Sequence, residues 1–124
     1  MAGKMPRIVV VEDDESMSQA IERILRAGGF VARTFASAEA ALEAGVATAS
    51  DCLVLDITLP GMSGLDLYRR LTPAGEPLPA IFITAHDEQA IREEVERLGA
   101  RSYLPKPFSG RTLLDAVTRA LRSS

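Results

Sequence analysis

Residues 51–64 read DCLVLDITLPGMSG, an apolar run that ends in a carboxylate. Leu53, Val54 and Leu55 are apolar at successive positions, which is typical of a strand buried on both faces of a parallel sheet. Asp56 then stands where turn residues usually follow. An ionised group at the end of a buried strand is costly unless a positive charge lies near it, so we expect a cationic partner for Asp56.

Four similar runs and five amphipathic patterns alternate along the chain. With 53–55, the predicted strands are 8–11, 31–35, 80–84 and 101–104. Apolar residues recur at helical spacing over 17–25, 38–46, 67–71, 91–98 and 113–121, and the residues expected to start or end these helices are Ser37, Gly28, Gly29, Pro73, Gly75 and Gly99. This order predicts an α/β fold, with a parallel sheet covered on both faces through right-handed crossovers. Periodicity alone leaves the strand order open.

Composition limits the class of protein. A chain of 124 residues with 47% hydrophobic and 25% charged residues is long enough for one folded domain with a substantial core. Its net charge of -3 argues against a bare nucleic-acid-binding surface, and no apolar stretch has the length of a membrane span or the form of a secretion signal. The single cysteine, Cys52, fits a reducing cytoplasm and is expected to pack in the core.

Charged and hydroxyl residues follow four of the predicted strands. In a doubly wound sheet, ligands bind outside the carboxyl ends of the strands. If the first and third strands are neighbours, Glu12, Asp13 and Asp56 meet at one edge. Thr84 and Lys106, which follow the fourth and fifth strands, then lie opposite them. The position of each residue has an ordinary explanation, as a helix-terminal acid, a turn cap, a strand end or a surface lysine, but their convergence favours a site.

The expected cluster of acids predicts a metal. Two carboxylates ~5 Å apart at an effective dielectric of ~20 repel by roughly 3 kcal/mol, so the cluster must hold protons or a cation. An all-oxygen set at an open edge suits Mg²⁺, and the lack of histidine and cysteine ligands disfavours zinc. A metal, an ammonium and a hydroxyl around one carboxylate indicate phosphoryl transfer to Asp56, with Lys106 and Thr84 contacting phosphoryl oxygens.

These residues lie in motifs that resemble the response-regulator receiver domain of two-component signalling. The motifs are VVVEDDE, LDITLPGMSGLDL, FITAH and YLPKPF, and the resemblance extends over about residues 7–121, most closely to the FixJ-type branch. It implies a flavodoxin-like (βα)5 doubly wound parallel sheet of strand order 2-1-3-4-5. Residues 1–124 are expected to form a single receiver domain without an effector domain.

The resemblance also implies a role for each site residue. Asp56 corresponds to the phosphorylated aspartate, and Asp13 and Glu12 to the Mg²⁺-binding acids, with Glu12 acting through water. Thr58 stands where the family supplies a backbone carbonyl to the metal, and Lys106 is the family's lysine, usually followed by a cis peptide bond.

Three further residues are expected to control the signal. Thr84 corresponds to the family's hydroxyl residue. Together with the aromatic Tyr103, it corresponds to the pair of residues that switches the family between its two states. Thr58 and His86 line the mouth of the site, where we expect them to set the lifetime of the acyl phosphate by controlling access of water.

The implied partners are those of a cytoplasmic regulatory domain that is not an enzyme in its own right. A histidine kinase or phosphotransfer protein would dock on the first helix, 17–27. The fourth helix, fifth strand and fifth helix would form a switch face for a homodimer or another partner. Its candidate contacts are Ile91, Val95 and Arg92, although Ile91 and Val95 are expected to pack inward as part of the core stripe of the helix. Neither nucleic acid nor a membrane is expected to bind this domain directly. The output stays open between a transcriptional regulator and a stand-alone receiver.

Three other functions compete with this interpretation. A haloacid-dehalogenase-like phosphatase needs a second acid two residues after the nucleophile, where this chain has Thr58. A flavodoxin-like electron carrier needs a phosphate-binding loop after the first strand, where residues 12–15 are all acidic. A pseudo-receiver, which signals by contact alone, would not need the complete set of chemical residues.

Overall fold

The fold is a five-stranded parallel sheet with helices on both faces. The computed structural model describes residues 5–46, 50–72, 78–99 and 102–122. In chain order the elements are β1 (Arg7–Val11), α1 (Glu15–Ala27), β2 (Val31–Phe35), α2 (Ala38–Glu43), β3 (Cys52–Asp56), α3 (Gly64–Leu71), β4 (Ala80–Thr84), α4 (Gln89–Arg97), β5 (Ser102–Pro105) and α5 (Gly110–Arg122). The strand order is β2-β1-β3-β4-β5, with every pair parallel. The flavodoxin-like fold and its strand order are therefore confirmed.

The predicted boundaries agree with the observed elements, with one clear exception. Two strands, β2 and β4, have the predicted bounds, and Ser37 caps α2 by accepting a hydrogen bond from the Ala40 N–H. The prediction that this helix continues to residue 46 was wrong. It ends at Glu43, because Gly45 adopts a left-handed φ of +65° that a helix cannot continue. The predicted terminators Pro73 and Gly75 and the predicted strand start at residue 101 lie outside the described residues.

The core consists of two apolar layers, one on each face of the sheet. Alternate residues of each strand enter opposite layers, so that Val9 lies in the layer that includes α2, α3 and α4 residues, while Val10 lies in the layer that includes α1 and α5 residues. Every residue of β3 and β4 is buried, as the unbroken apolar runs predicted. With both faces of the sheet covered, ionisable side chains near its centre can reach solvent at the ends of the strands.

Cys52 belongs to this core, as predicted. Its side chain is fully buried in the layer under α1 and α5. Burial raises the pKa of the Cys52 thiol to about 12, which makes the reactive thiolate scarce at neutral pH.

None of the described helices has the length and apolar character needed to cross a membrane.

Candidate functional site

Three carboxylates meet at the carboxyl ends of two central strands. The β1–β3 register pairs Val11 with Leu55, so Glu12 and Asp13 follow β1 at the level where β3 ends in Asp56. One oxygen from each of these acids lies within 4.8 Å of the others. Glu12 and Asp56 are buried, with 2% and 3% of their surface exposed, whereas Asp13 is exposed. The predicted acidic cluster is therefore present in the fold.

Lys106 supplies the positive charge that the sequence of β3 required. Its Nζ lies 2.8 Å from Glu12 Oε1 and 3.2 Å from Asp56 Oδ2. The backbone N–H of Lys106 donates to the Thr84 carbonyl at 2.7 Å, which continues the β4–β5 pairing beyond Pro105. The peptide bond from Lys106 to Pro107 is cis. The β5 backbone thus directs the ammonium group across the end of β4 to the carboxylates.

The burial of these charges perturbs their protonation. Burial raises the pKa of Glu12, and the hydrogen bond from Lys106 offsets this effect only in part, while Asp56 adds to it. Burial also opposes the charge of Lys106, but its hydrogen bond to Glu12 and the charge of Asp56 outweigh it, so that the pKa of Lys106 is raised. The cluster therefore keeps its ammonium protonated and makes the negative charge of Glu12 costly.

The acidic residues 12–15, which follow β1, have two different structural roles. Asp14 accepts a hydrogen bond from the Met17 N–H and so caps α1, while Glu15 lies in the first turn of that helix. The explanation as helix-terminal acids thus holds for these two residues. Glu12 instead turns into the cluster, where its Oε2 accepts a hydrogen bond from the Asp14 N–H at 3.1 Å.

The donor set of the cluster fits a hard divalent cation. Glu12 Oε1 is buried and accepts no well-directed hydrogen bond, although Lys106 lies near it. A buried carboxylate oxygen with unused lone pairs, beside two further carboxylates, is the arrangement that Mg²⁺ or a similar ion satisfies. Glu12, Asp13 and Asp56 could together hold such a cation.

The loop after β3 fixes the orientation of Asp56. Its Oδ1 accepts a hydrogen bond from the Thr58 N–H at 3.0 Å, while Lys106 approaches Oδ2. Gly64, the first residue of α3, packs against the Asp56 backbone so closely that a Cβ there would lie 2.2 Å from the Asp56 carbonyl oxygen. Contacts from two sides thus hold Asp56, and the Thr58 side chain is exposed.

Thr84 is buried at the end of β4, but its hydroxyl is bonded away from the carboxylates. Thr84 Oγ1 accepts a hydrogen bond from the His86 N–H at 2.9 Å and lies 3.4 Å from the His86 carbonyl. The side chain of His86 is exposed in the loop that leads to α4. The structure therefore places Thr84 next to the cluster in the sheet, with its hydroxyl held by the β4–α4 loop.

Tyr103 lies apart from the carboxylates, in a second polar cluster. Its hydroxyl donates to Asp87 Oδ1 at 3.1 Å, and Arg92 makes two hydrogen bonds of 2.6 Å to the same carboxylate. The Arg92 guanidinium also lies 5.7 Å from the centre of the Tyr103 ring. The hydrogen bonds from Arg92 lower the pKa of Asp87. We call Asp87, Arg92 and Tyr103 the surface triad.

Three contacts near the site were not predicted from the sequence. The ion pair between Asp87 and Arg92 is the first, and their opposite charges at the start of α4 could have suggested it. Gly64 carries no signal beyond its place at the start of a helix. Glu39, in α2, accepts a hydrogen bond from the Met62 N–H in the β3–α3 loop, and nothing in the sequence relates these two segments.

Comparison with known proteins agrees with this geometry. A family profile described as "Response regulator receiver domain" matches residues 8–118. The response regulator protein TmoT of Ectopseudomonas mendocina is 36% identical over 93% of this chain and 52% of its own length. The transcriptional regulatory protein FixJ of Azorhizobium caulinodans is 33% identical over 93% of this chain and 54% of its own length. The chain thus spans about half the length of these two relatives.

A solved structure shows the same fold at higher identity. The response regulator receiver protein from Burkholderia phymatum is 42% identical, with a TM-score of 0.82 over 94% of this chain and 95% of that one. The chain thus combines an open α/β sheet with acids, a lysine and a threonine at the carboxyl edge of that sheet. The chain belongs to the response regulator receiver domain family of two-component systems, which is a regulatory family.

Proposed function

We propose that this chain accepts a phosphoryl group on Asp56 in a Mg²⁺-dependent reaction. The observation that carries the proposal is the position of Asp56, 3.2 Å from the Lys106 ammonium and within 4.8 Å of the Glu12 and Asp13 carboxylates. The donor is the phosphohistidine of a kinase or phosphotransfer protein, or a small acyl phosphate. A carboxylate that has a cation site and an ammonium beside it suits phosphoryl transfer, which depends on positioning and charge stabilisation.

In the reaction, an oxygen of Asp56 attacks phosphorus in line with the leaving group. The new O–P bond forms as the P–N bond of the donor histidine breaks, and the electron pair of that bond goes to the imidazole nitrogen. Lys106 remains protonated, in keeping with its raised pKa, and contacts one phosphoryl oxygen. The Thr58 N–H, which holds Asp56 Oδ1 before the reaction, keeps the carboxylate oriented.

The metal belongs to the same proposal. When bound, Mg²⁺ neutralises charge on the phosphoryl oxygens and on the acidic cluster. Asp13, Asp56 and the Thr58 carbonyl would hold it directly, and Glu12 through a water. Glu12 Oε1 supports this assignment, because it is buried and, with only the Lys106 ammonium beside it, keeps lone pairs free to accept from a water.

Phosphorylation adds roughly -1.5 to -2 charges beside Thr84. Thr84 then exchanges its hydrogen bonds with His86 for one to the phosphoryl group, and Tyr103 moves into the space that Thr84 leaves. The result is a shift of the α4-β5-α5 face towards a state that binds a second copy or another partner. Thr58 and His86, exposed at the mouth of the site, control the access of water and hence the lifetime of the acyl phosphate.

The remaining parts of the proposal concern the whole protein. The cognate kinase or phosphotransfer protein docks on α1, next to the acidic cluster. Residues 1–124 act as a cytoplasmic receiver domain that assists its own phosphorylation and dephosphorylation. The similarity to FixJ, a transcriptional regulatory protein, supports transcriptional control as the output. In that case, this domain binds no DNA itself.

The proposal is tested by incubation with Mg²⁺ and acetyl phosphate, followed by intact mass measurement. The wild type is expected to gain one phosphoryl group that hydroxylamine removes, which identifies an acyl phosphate. Asp56→Asn should gain none, and the matched control Asp115→Asn, at an exposed position on α5, should react like the wild type. Chelation of Mg²⁺ should stop the reaction. A wild type that stays unmodified at saturating metal and donor would leave signalling by contact alone as the function.

A further inference from the structure

The β3–α3 loop is held at one point by a residue from another helix. Glu39 lies in the first turn of α2, and its Oε2 accepts a hydrogen bond from the Met62 N–H at 3.0 Å. The same oxygen covers Gly61, where a Cβ would lie only 2.8 Å away. Gly61 has a φ of +76°, a conformation that side chains rarely adopt. Gly61 therefore allows the loop backbone to pass close to the Glu39 carboxylate, and the N–H of the next residue, Met62, donates a hydrogen bond to that carboxylate.

The rest of this loop has other anchors. Near its start, the Ile57 N–H donates to the Ile83 carbonyl at 3.0 Å, and the Ile57 carbonyl accepts from the Leu59 and Gly64 N–H groups. Leu59 is buried in the core, and Ser63 caps α3. Between these anchors, Pro60 and Gly61 are exposed. In the described part of the chain, residues 60–62 are joined to another element by the hydrogen bond from the Met62 N–H to Glu39.

We propose that Glu39 is a positioning residue for the phosphoryl-transfer site. By fixing residues 60–62, Glu39 keeps the loop closed over Asp56, so that the Thr58 N–H stays on Asp56 Oδ1. Glu39 touches neither the phosphoryl donor nor Asp56, and its effect passes through the loop backbone. The inference rests on the proposed function, because its consequence for the reaction requires that Asp56 is the acceptor.

The charge of Glu39 suits this role. The hydrogen bond from the Met62 N–H, followed by one from its own N–H, lowers the pKa of Glu39, so the carboxylate is ionised at neutral pH. A charged acceptor makes stronger hydrogen bonds to backbone N–H groups than a neutral one does. Glutamine at this position can still accept from Met62 and keeps the length of the side chain, whereas alanine removes the acceptor.

The test compares Glu39→Ala and Glu39→Gln with Glu43→Ala, which removes an exposed acid from the same helix. Removal of a group that hydrogen-bonds a metal-ligating residue typically costs 10–100-fold in metal affinity or activity. Because Glu39 acts on Asp56 only through the loop backbone, we expect the lower end of this range, so that Glu39→Ala forms acyl phosphate about tenfold more slowly. Glu39→Gln should recover most of this loss, and Glu43→Ala should react like the wild type. Urea unfolding is measured in parallel to verify that each variant is folded.

Hydrogen exchange gives a second readout that needs neither metal nor phosphodonor. In the wild type, the Met62 and Thr58 amides should be protected, and Glu39→Ala should speed the exchange of both while the β4 amides keep their rates. Wild-type-like phosphorylation and Thr58 exchange in folded Glu39→Ala would overturn the inference, as would an unprotected Met62 amide in the wild type. A wild type that exchanges as expected but forms no acyl phosphate would instead reject the function proposed for Asp56.

Discussion

Replacement of Gly64 by alanine tests whether the packing of α3 on the Asp56 backbone positions the site. A Cβ on Gly64 would lie 2.2 Å from the Asp56 carbonyl oxygen, 2.9 Å from its carbon and 3.1 Å from the Ile57 Cα. All three neighbours are backbone atoms, which cannot rotate away. To reach an ordinary contact distance, the start of α3 must move by about 1 Å away from β3.

The expected cost follows from this displacement. Overpacking in a well-packed region costs typically 1–3 kcal/mol, and the rigidity of the backbone places Gly64→Ala at the upper end, about 3 kcal/mol. The better helix propensity of alanine returns roughly 0.5–1 kcal/mol. We therefore expect a net loss of about 2 kcal/mol, which corresponds to a fall of roughly 8 °C in Tm for a domain of this size.

Gly110→Ala is the matched control, because Gly110 is likewise the first residue of its helix, α5. A Cβ there meets Ile24 side-chain atoms at 3.4 Å, the edge of ordinary contact, so the variant should be neutral or slightly more stable. Urea unfolding followed by circular dichroism measures both variants. If Gly64→Ala proves as stable as Gly110→Ala and keeps the wild-type rate of phosphorylation, the close contact does not hold α3 and Asp56 together.

Three other measurements test separate parts of the structure. With a pKa of about 12, Cys52 has only about one thiolate in ten thousand molecules at pH 8, so iodoacetamide should label it only in the unfolded chain. Lys106→Met should lower the free energy of unfolding by about 2 kcal/mol at pH 7, less than for a fully buried ion pair because the ammonium is partly exposed. The loss should be smaller at pH 4, because burial raises the pKa of Glu12 and this carboxylate is then largely protonated. The hydrogen bonds from Arg92 lower the pKa of Asp87. The stability that this carboxylate contributes is therefore present above about pH 4 and is lost as the pH falls through the lowered pKa. Asp87→Asn should be less stable than the wild type at pH 7 and equally stable in acid.

Each of these expectations can fail in a recognisable way. Labelling of Cys52 in the native protein at the rate of a free thiol would contradict its burial. A Lys106→Met variant of undiminished stability would mean that the carboxylates do not depend on the ammonium, and a stability difference for Asp87→Asn that persists in strong acid would point to packing instead of charge.

The sequence was sufficient to predict the fold and the main cluster for a physical reason. Strands buried on both faces have unbroken apolar runs, and parallel strands bring their carboxyl ends to one edge, so Asp56 and Lys106 could be placed together without coordinates. The resemblance then supplied the strand order. It also assigned Glu12 and Asp13 to the metal, whereas the role of Asp14 as the cap of α1 could not be predicted, because it depends on the residue at which that helix begins.

The contacts that escaped prediction join segments far apart in the chain through exposed side chains. Glu39 reaches Met62, and Asp87 reaches Tyr103, across distances in sequence that no periodicity covers. Neither pair buries enough apolar surface to leave a pattern. The early end of α2 was missed because the apolar spacing continues to Val46, while the left-handed backbone at Gly45 stops the helix.

The two ends of the short segment 84–87 are attached to different parts of the molecule. Thr84 is buried at the end of β4, while Asp87 is tied to α4 by Arg92 and to β5 by Tyr103. Only two residues separate them, so the backbone between them has little slack to absorb a shift of either end. A single glycine inserted after His86 would lengthen this segment without removing either attachment. A shift of Thr84 would then no longer be transmitted to Asp87.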